Sequence, residues 1–331
     1  MKVPRLLQRL TGGWQYLAMF WAGIAVVSVS GAAALQVMGP PAAPKPPAAA
    51  QAIETPVVSG PARDTPVAGV IRPPNPALLE PAPSFPGRSL PHRAADGTMS
   101  MVFYAHAAPV VKGPAVAMLL VGLGQSNAES LAASAALPGA ISFGFSPYSL
   151  NPDPLLADAR EHGHEYFVTL PMESQGYPLN DSGPHALLTG AEVSVNDRNL
   201  EWVLSRMQGE VGLTGASDGL RGERFASATA LFDRVLAQLV TRGLMYVDAR
   251  PGAAVRPDDA AVSIVVDDPP DRASIDAKLL LLEQRARDGE KVLGLAGPVR
   301  PVTVERIAAW ARGLSGRGIT LVPVSALVQP K

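Results

Sequence analysis

From residue 116 onward, short apolar runs alternate with longer segments whose apolar positions recur at helical spacing, the pattern of parallel β/α construction. Runs at 116–121, 140–145, 166–170, 244–248, 262–266, 292–296 and 320–324 predict strands, and a weaker run covers 210–214. Segments 154–162, 195–207, 227–242, 272–288 and 302–315 predict helices. Gly163 and Gly243 each end a helical segment just before a strand, where a left-handed cap favours glycine. Seven or eight strands in an α/β chain of this kind predict a distorted β/α barrel; an open doubly wound sheet is the alternative.

Upstream the pattern changes. Lys2, Arg5 and Arg9 precede a long uncharged stretch that ends at Lys45. Within it, 16–38 is almost wholly apolar, long enough as a helix for roughly 35 Å. Trp14, Tyr16 and Trp21 lie near its start, where amphipathic rings favour the headgroup region. The reading is a basic cytoplasmic tip at 1–15 and a signal-anchor transmembrane helix at 16–38. The chain is then single-pass in the cytoplasmic membrane, with all that follows exported to the periplasmic side. Small residues at Ser28, Ser30, Gly31 and Ala32–Ala34 make a cleaved signal peptide the rival, although the apolar run exceeds the usual h-region of about 7–15 residues.

Between Pro40 and Pro114 lie 17 of the 33 prolines, which lack amide donors and favour extended backbone. Residues 39–113 are therefore expected to be a disordered Pro/Ala-rich linker, with one strand-like piece at 99–104 docking on the domain at 114–331. The chain has 28 basic and 29 acidic residues, so no basic face invites nucleic acid. It has no cysteine, which excludes disulfides, thiolate metal sites and a cysteine nucleophile.

In a β/α barrel the chemistry collects at the carboxyl ends of the strands. Three acids stand there: Glu173, Asp248 and Asp267. Together they would make a general acid/base set or a hard-metal site; taken singly, acids at strand exits cap helices and bond loop amides. Tyr177, Asn180, Asp181 and His185 follow the third strand and are the ligand-binding candidates of the mouth. The five histidines carry no zinc spacing, and each reads singly as structural or solvated. His92 and His106 fall in the linker, and His162 and His164 flank Gly163. A G-x-G at 122–124 has Asn127 where a dinucleotide fold needs its third glycine. Neither a G-x-S-x-G elbow nor a P-loop occurs.

Several of these strand ends resemble the divergent polysaccharide deacetylase family. The resemblance is carried by V-A-M-L-L-V-G-L-G-Q-S (116–126), P-G-A-I-S-F-G-F-S-P-Y (138–148) and G-H-E-Y-F-V-T-L-P-M-E (163–173). It continues through G-Y-P-L-N-D-S-G-P-H-A-L-L-T-G (176–190), R-G-L-M-Y-V-D-A-R (242–250) and L-V-P-V-S-A-L (321–327). It implies a distorted barrel related to metal-dependent carbohydrate deacetylases, in which an aspartate and histidines hold a metal whose bound water attacks an N-acetyl carbonyl. The same resemblance marks four departures. The family's Asp-Asp pair after the first strand is Val121 and Gly122 here, a histidine before L-P-M-E is Thr169, and the late G-H-P is Ala296-Gly297-Pro298. The central N-N-H-M-G-S motif reads G-L-T-G-A-S-D-G-L-R-G-E-R-F (212–225), without histidine.

No cofactor is therefore expected. An oxygen-only remnant of Glu173, Asp248 and Asp267 would suit a weakly bound Mg²⁺ or Ca²⁺ at best. The leading reading is a membrane-anchored pseudoenzyme that engages envelope glycan or an envelope protein. A second is an active hydrolase with a rebuilt carboxylate site, joined by Asp218, Glu223 or His185. A third is a structural partner in an envelope complex, with the helical segment bearing Trp202 as the surface to inspect.

Overall fold

The computed structural model describes residues 17, 19–26, 28, 69–108, 113–217, 219–254 and 256–328. The chain divides into two units, Met1–Arg63 and Asp64–Lys331. In the first, residues 17, 19–26 and 28 are helical. No helix among the described residues is long and apolar enough to cross a membrane. Most of the flanks of the predicted 16–38 span lie outside the described residues, as does the basic tip at 1–15.

The second unit opens with a small hairpin, β1 (Leu79–Pro81) antiparallel to β2 (Ser89–Pro91), and a helical turn, α1 (Ser100–Phe103). The main strands are β3 (Ala115–Leu123), β4 (Ser142–Phe145), β5 (Tyr166–Thr169), β6 (Gly212–Thr214), β7 (Met245–Asp248), β8 (Asp259–Ala261), β9 (Ile264–Val265), β10 (Val292–Ala296) and β11 (Thr320–Val322). The helices are α2 (Asn127–Ala136), α3 (Asp153–Glu161), α4 (Val193–Leu204), α5 (Glu223–Ser227), α6 (Thr229–Thr241), α7 (Arg272–Arg287) and α8 (Pro301–Leu314).

All pairings among the main strands are parallel, in the order β8-β7-β6-β5-β4-β3-β10-β9, with β11 also on β3. The two ends of this path, β8 and β9, are separated in the chain only by Val262 and Ser263. The Val262 amide donates to the Asp248 carbonyl at 2.9 Å, and the Ser263 amide to the Leu293 carbonyl at 2.8 Å. One extended stretch thus leaves β7 and joins β10, so the sheet must curl until its edges meet. The α/β class and the curled parallel sheet agree with the sequence reading; an open doubly wound sheet does not.

Side chains alternate across the curl, as the two-residue period of a strand requires. Ala117, Leu119 and Val121 face an enclosed cluster with Phe167, Met245, Val247, Leu293 and Leu295. Val116, Met118 and Leu120 face the helices, with Phe143, Phe145, Tyr166 and Val168. Both faces are covered, so the strands are continuously apolar rather than alternating.

The linker expected at 39–113 ends sooner than its prolines suggest. Residues 69–108 are folded, and Ile71, Leu78, Met101 and Tyr104 complete the enclosed cluster. The Ile71 amide donates to the Arg160 carbonyl and the Met101 amide to the Gly243 carbonyl, just ahead of β5 and β7. This segment therefore closes the barrel at the amino ends of its strands. The piece at 99–104 does dock, but as the turn α1 instead of a strand. Fully buried Glu165 ties the same end together: it accepts from Ser142 Oγ, from the amide and hydroxyl of Ser325, and from the His106 amide.

Two helices, α2 and the short α5, lie outside the predicted segments, α2 because its alanines and serines give no apolar period. The start of α2 was nonetheless written in the sequence: Ser126 Oγ accepts from the Glu129 amide, half of an S-x-x-E capping box. Gly163 and Gly243 adopt φ of 82° and 74°, the left-handed caps expected of them.

Candidate functional site

The carboxyl ends of β3, β6, β9 and β10 surround a cavity of about 280 Å³. Its floor is apolar, made by Val121, Ala216, Val265 and Leu295, and its rim carries Arg221, Asp267, Asp268 and Arg300. No aromatic ring is among the described residues that line it.

The departures from the family pattern meet at one edge of this floor. Gly122 has φ +91°, and a Cβ built on it would lie 2.9 Å from Pro298 Cα. Gly297 has φ +141°, and a Cβ there would lie 2.5 Å from the Val121 carbonyl oxygen. Val121 also fills the space over Gly144, whose Cβ would meet its Cγ1 at 2.6 Å. Close backbone approach thus replaces a set of ligating side chains. Thr169 is buried on β5, and its hydroxyl has no hydrogen-bond partner among the described residues.

Of the three acids, Asp267 lines the mouth. Its oxygens are occupied by the Gly297 amide at 3.0–3.1 Å, Thr303 Oγ1 at 3.1 Å and Arg300 at 3.4 Å. Burial pushes its carboxyl up from the usual 3.8, against the opposing pull of these donors. Asp248 shares the outward parity of Tyr246 on β7 and lines a separate pocket of about 410 Å³ with Arg256 and Asp259. Arg250 grips it with two bonds of 2.7 and 3.0 Å. Glu173 is buried and lines neither pocket; it accepts from the amide and hydroxyl of Thr189 and pairs with Arg224 at 3.0 Å. Each acid is bonded locally, and the cavities do not bring the three together.

The loop after β5 holds the other candidates. Ser174 Oγ donates to the Asn180 carbonyl, and Asp181 Oδ1 accepts from the Gly183 amide; Asn180 and Asp181 are exposed, and Tyr177 is half-buried. The His185 ring stacks on Trp202 at 3.7 Å, with its Nδ1 3.3 Å from Asn199 Oδ1. Trp202 in turn packs against the core and is covered by the Arg206 guanidinium, so α4 does not offer it as a free apolar surface. Buried His164 stacks on Phe143 and faces the Ile141 and Ser134 carbonyls, a structural histidine. Asp218 lies outside the described residues.

Among the described residues, no group of three His, Asp or Glu side chains could hold a metal ion. The donor set therefore does not fit the family's metal: the first-strand and G-H-P positions carry valine and glycine in mutual contact, and Asp267 already accepts from Gly297, Thr303 and Arg300. Sequence reading missed Arg221 and Arg300. Both sit in loops just beyond strands β6 and β10, and only strand-end position could have flagged them.

Curl, parallel strands and a cleft at their carboxyl ends define a β/α-barrel-like domain with a cavity in its mouth. The family model of divergent polysaccharide deacetylases matches residues 119–328, and the chain belongs to that family. A solved structure of an uncharacterised Agrobacterium tumefaciens protein is 30% identical, with a TM-score of 0.68 over 73% of this chain and all of that one. The catalytic domain of a peptidoglycan N-acetylglucosamine deacetylase from Eubacterium rectale is 12% identical, with a TM-score of 0.42 over 67% of this chain and 94% of that one. No curated protein shows a significant sequence match.

Proposed function

We propose that this carbohydrate-related domain is held at the outer side of the cytoplasmic membrane by the apolar stretch at 16–38 and binds envelope glycan without deacetylating it. The observation that carries this reading is the packing of Gly297 on Val121, which fills the place where the family pattern needs an aspartate and an imidazole. A hydrolytic metal needs nitrogen and carboxylate donors that converge on one point. Asp267, the one of the three predicted acids that lines the mouth, accepts from the Gly297 amide and the Thr303 hydroxyl instead. The cavity itself stays open and polar at its rim, which favours binding over a purely structural part. No cofactor is required for that role.

The test uses the purified full-length chain. Acetate release from N-acetylated glycan oligomers should not exceed the uncatalysed background, and elemental analysis should find no stoichiometric zinc. Chelator-sensitive acetate release would overturn the proposal in favour of a rebuilt active site.

A further inference from the structure

We infer that the mouth selects an anionic saccharide, one bearing a carboxylate or a phosphate, through Arg221 and Arg300; this rests on the reading of the mouth as a glycan site. Neutral sugars are usually held by stacking their apolar faces on aromatic rings, and this cavity has none among its described lining residues. What it offers instead is two guanidinium groups, from the loop after β6 and from the residue just ahead of α8.

Both groups keep donor capacity. Among the described residues, the Arg221 guanidinium makes one polar contact, an ion pair with Asp268 Oδ2 at 3.5 Å, beyond good hydrogen-bond length. Arg300 reaches Asp267 with one nitrogen at 3.4 Å. A guanidinium has five donors arranged to match a carboxylate or phosphate bidentately, so most of this capacity is unspent. The two acids differ in kind. Asp267 is enclosed and held by the Gly297 amide and the Thr303 hydroxyl, so it stays where it is. The Asp268 side chain is 72% exposed and, among the described residues, has Arg221 as its only ion-pair partner. It is a weak internal competitor that an incoming anion can displace into solvent at little cost.

The apolar floor of Val121, Val265 and Leu295 sharpens the selection. It excludes water beneath the guanidinium pair and so strengthens charge recognition above it. The cavity has room for one sugar unit, which suits an acidic residue within a chain or at its end.

Isothermal titration of the full-length chain with three probes tests this: a neutral N-acetylglucosamine trimer, a galacturonate trimer and glucose 6-phosphate. The acidic probes should bind more tightly than the neutral one, and the better of the two tells carboxylate from phosphate. Arg221→Gln and Arg300→Gln should each weaken the acidic probe about tenfold or more, with Arg221→Lys recovering part of the loss. Asp268→Asn should tighten the acidic probe, by about threefold, since it removes the competitor. This gain cannot come from a damaged fold. Equal binding of all three probes, unchanged in these variants, would overturn the anionic selection while leaving glycan binding intact. Failure of every probe to bind would sink both.

Discussion

Gly297 lies so close to Val121 that a Cβ placed on it would stand 2.5 Å from the valine's carbonyl oxygen and 2.6 Å from its Cγ2. The contact joins the end of β10 to the end of β3, two strands paired in register from Val292↔Val116 to Ala296↔Leu120. The mouth has been rebuilt as packed backbone, so side chains of the family pattern cannot simply be restored.

Gly297→His and Gly122→Asp are therefore expected to lose stability, each by roughly 2–4 kcal/mol, because a side chain at positive φ must also push aside Val121 or Pro298. Urea unfolding midpoints measure the loss. Elemental analysis of the same variants should still find no bound zinc, and a stoichiometric gain would refute the packing argument.

Thr169 carries a buried hydroxyl without a hydrogen-bond partner among the described residues. Replacing it with isosteric valine should raise stability by about 1 kcal/mol, since it removes an unsatisfied polar group and leaves the shape unchanged. A drop in the unfolding midpoint would mean that the hydroxyl is bonded in solution.

Residues 69–108 are part of the domain. A chain trimmed to begin at residue 64 should unfold cooperatively like the full one. A chain beginning at residue 114 loses Ile71, Leu78, Met101 and Tyr104 from the enclosed cluster. At about 1.5–3 kcal/mol for each buried apolar side chain, that loss rivals the total stability of a typical domain, about 5–15 kcal/mol. Near-ultraviolet circular dichroism should show fixed aromatic packing in the first chain and none in the second.

Glu210 is enclosed just ahead of β6, one of its oxygens lacks a partner among the described residues, and burial pushes its carboxyl from 4.5 up to about 8. The native state thus keeps a proton that the unfolded chain releases. Its contribution to stability is complete below pH 4.5, declines as pH rises toward about 8, and is constant above that. The slope is at most about 1.4 kcal/mol per pH unit. Glu210→Gln should remove this decline, measured as the difference between the two pH profiles of urea midpoint. Parallel profiles would show that Glu210 is ionised in the fold.

The runs at 292–296 and 166–170 became β10 and β5 almost residue for residue, because a strand covered on both faces must be a short continuous apolar stretch, and glycine caps such as Gly163 mark where its helix stops. The weak run at 210–214 became β6 for the same reason. By contrast, 262–266 showed only half of its strand: Asp259–Ala261 is polar enough to read as loop, and its pairing with β7 depends on the curl of the whole sheet. Likewise, prolines at 73–91 signalled absent donors, yet Leu78 and Leu90 among them are core residues, since hairpin edges tolerate proline.

By itself, the amino-acid order determined the α/β alternation, the family motifs and the loss of the ligating residue types, all of which are properties of local runs and residue chemistry. Which acids share a cavity was decided only in three dimensions. A strand turns its side chains to opposite faces, so Asp248 and Asp267, alike at their strand ends, are sent to different pockets. Nor does anything local announce Arg221 and Arg300, which line one cavity only because β6 and β10 are brought around the same curl.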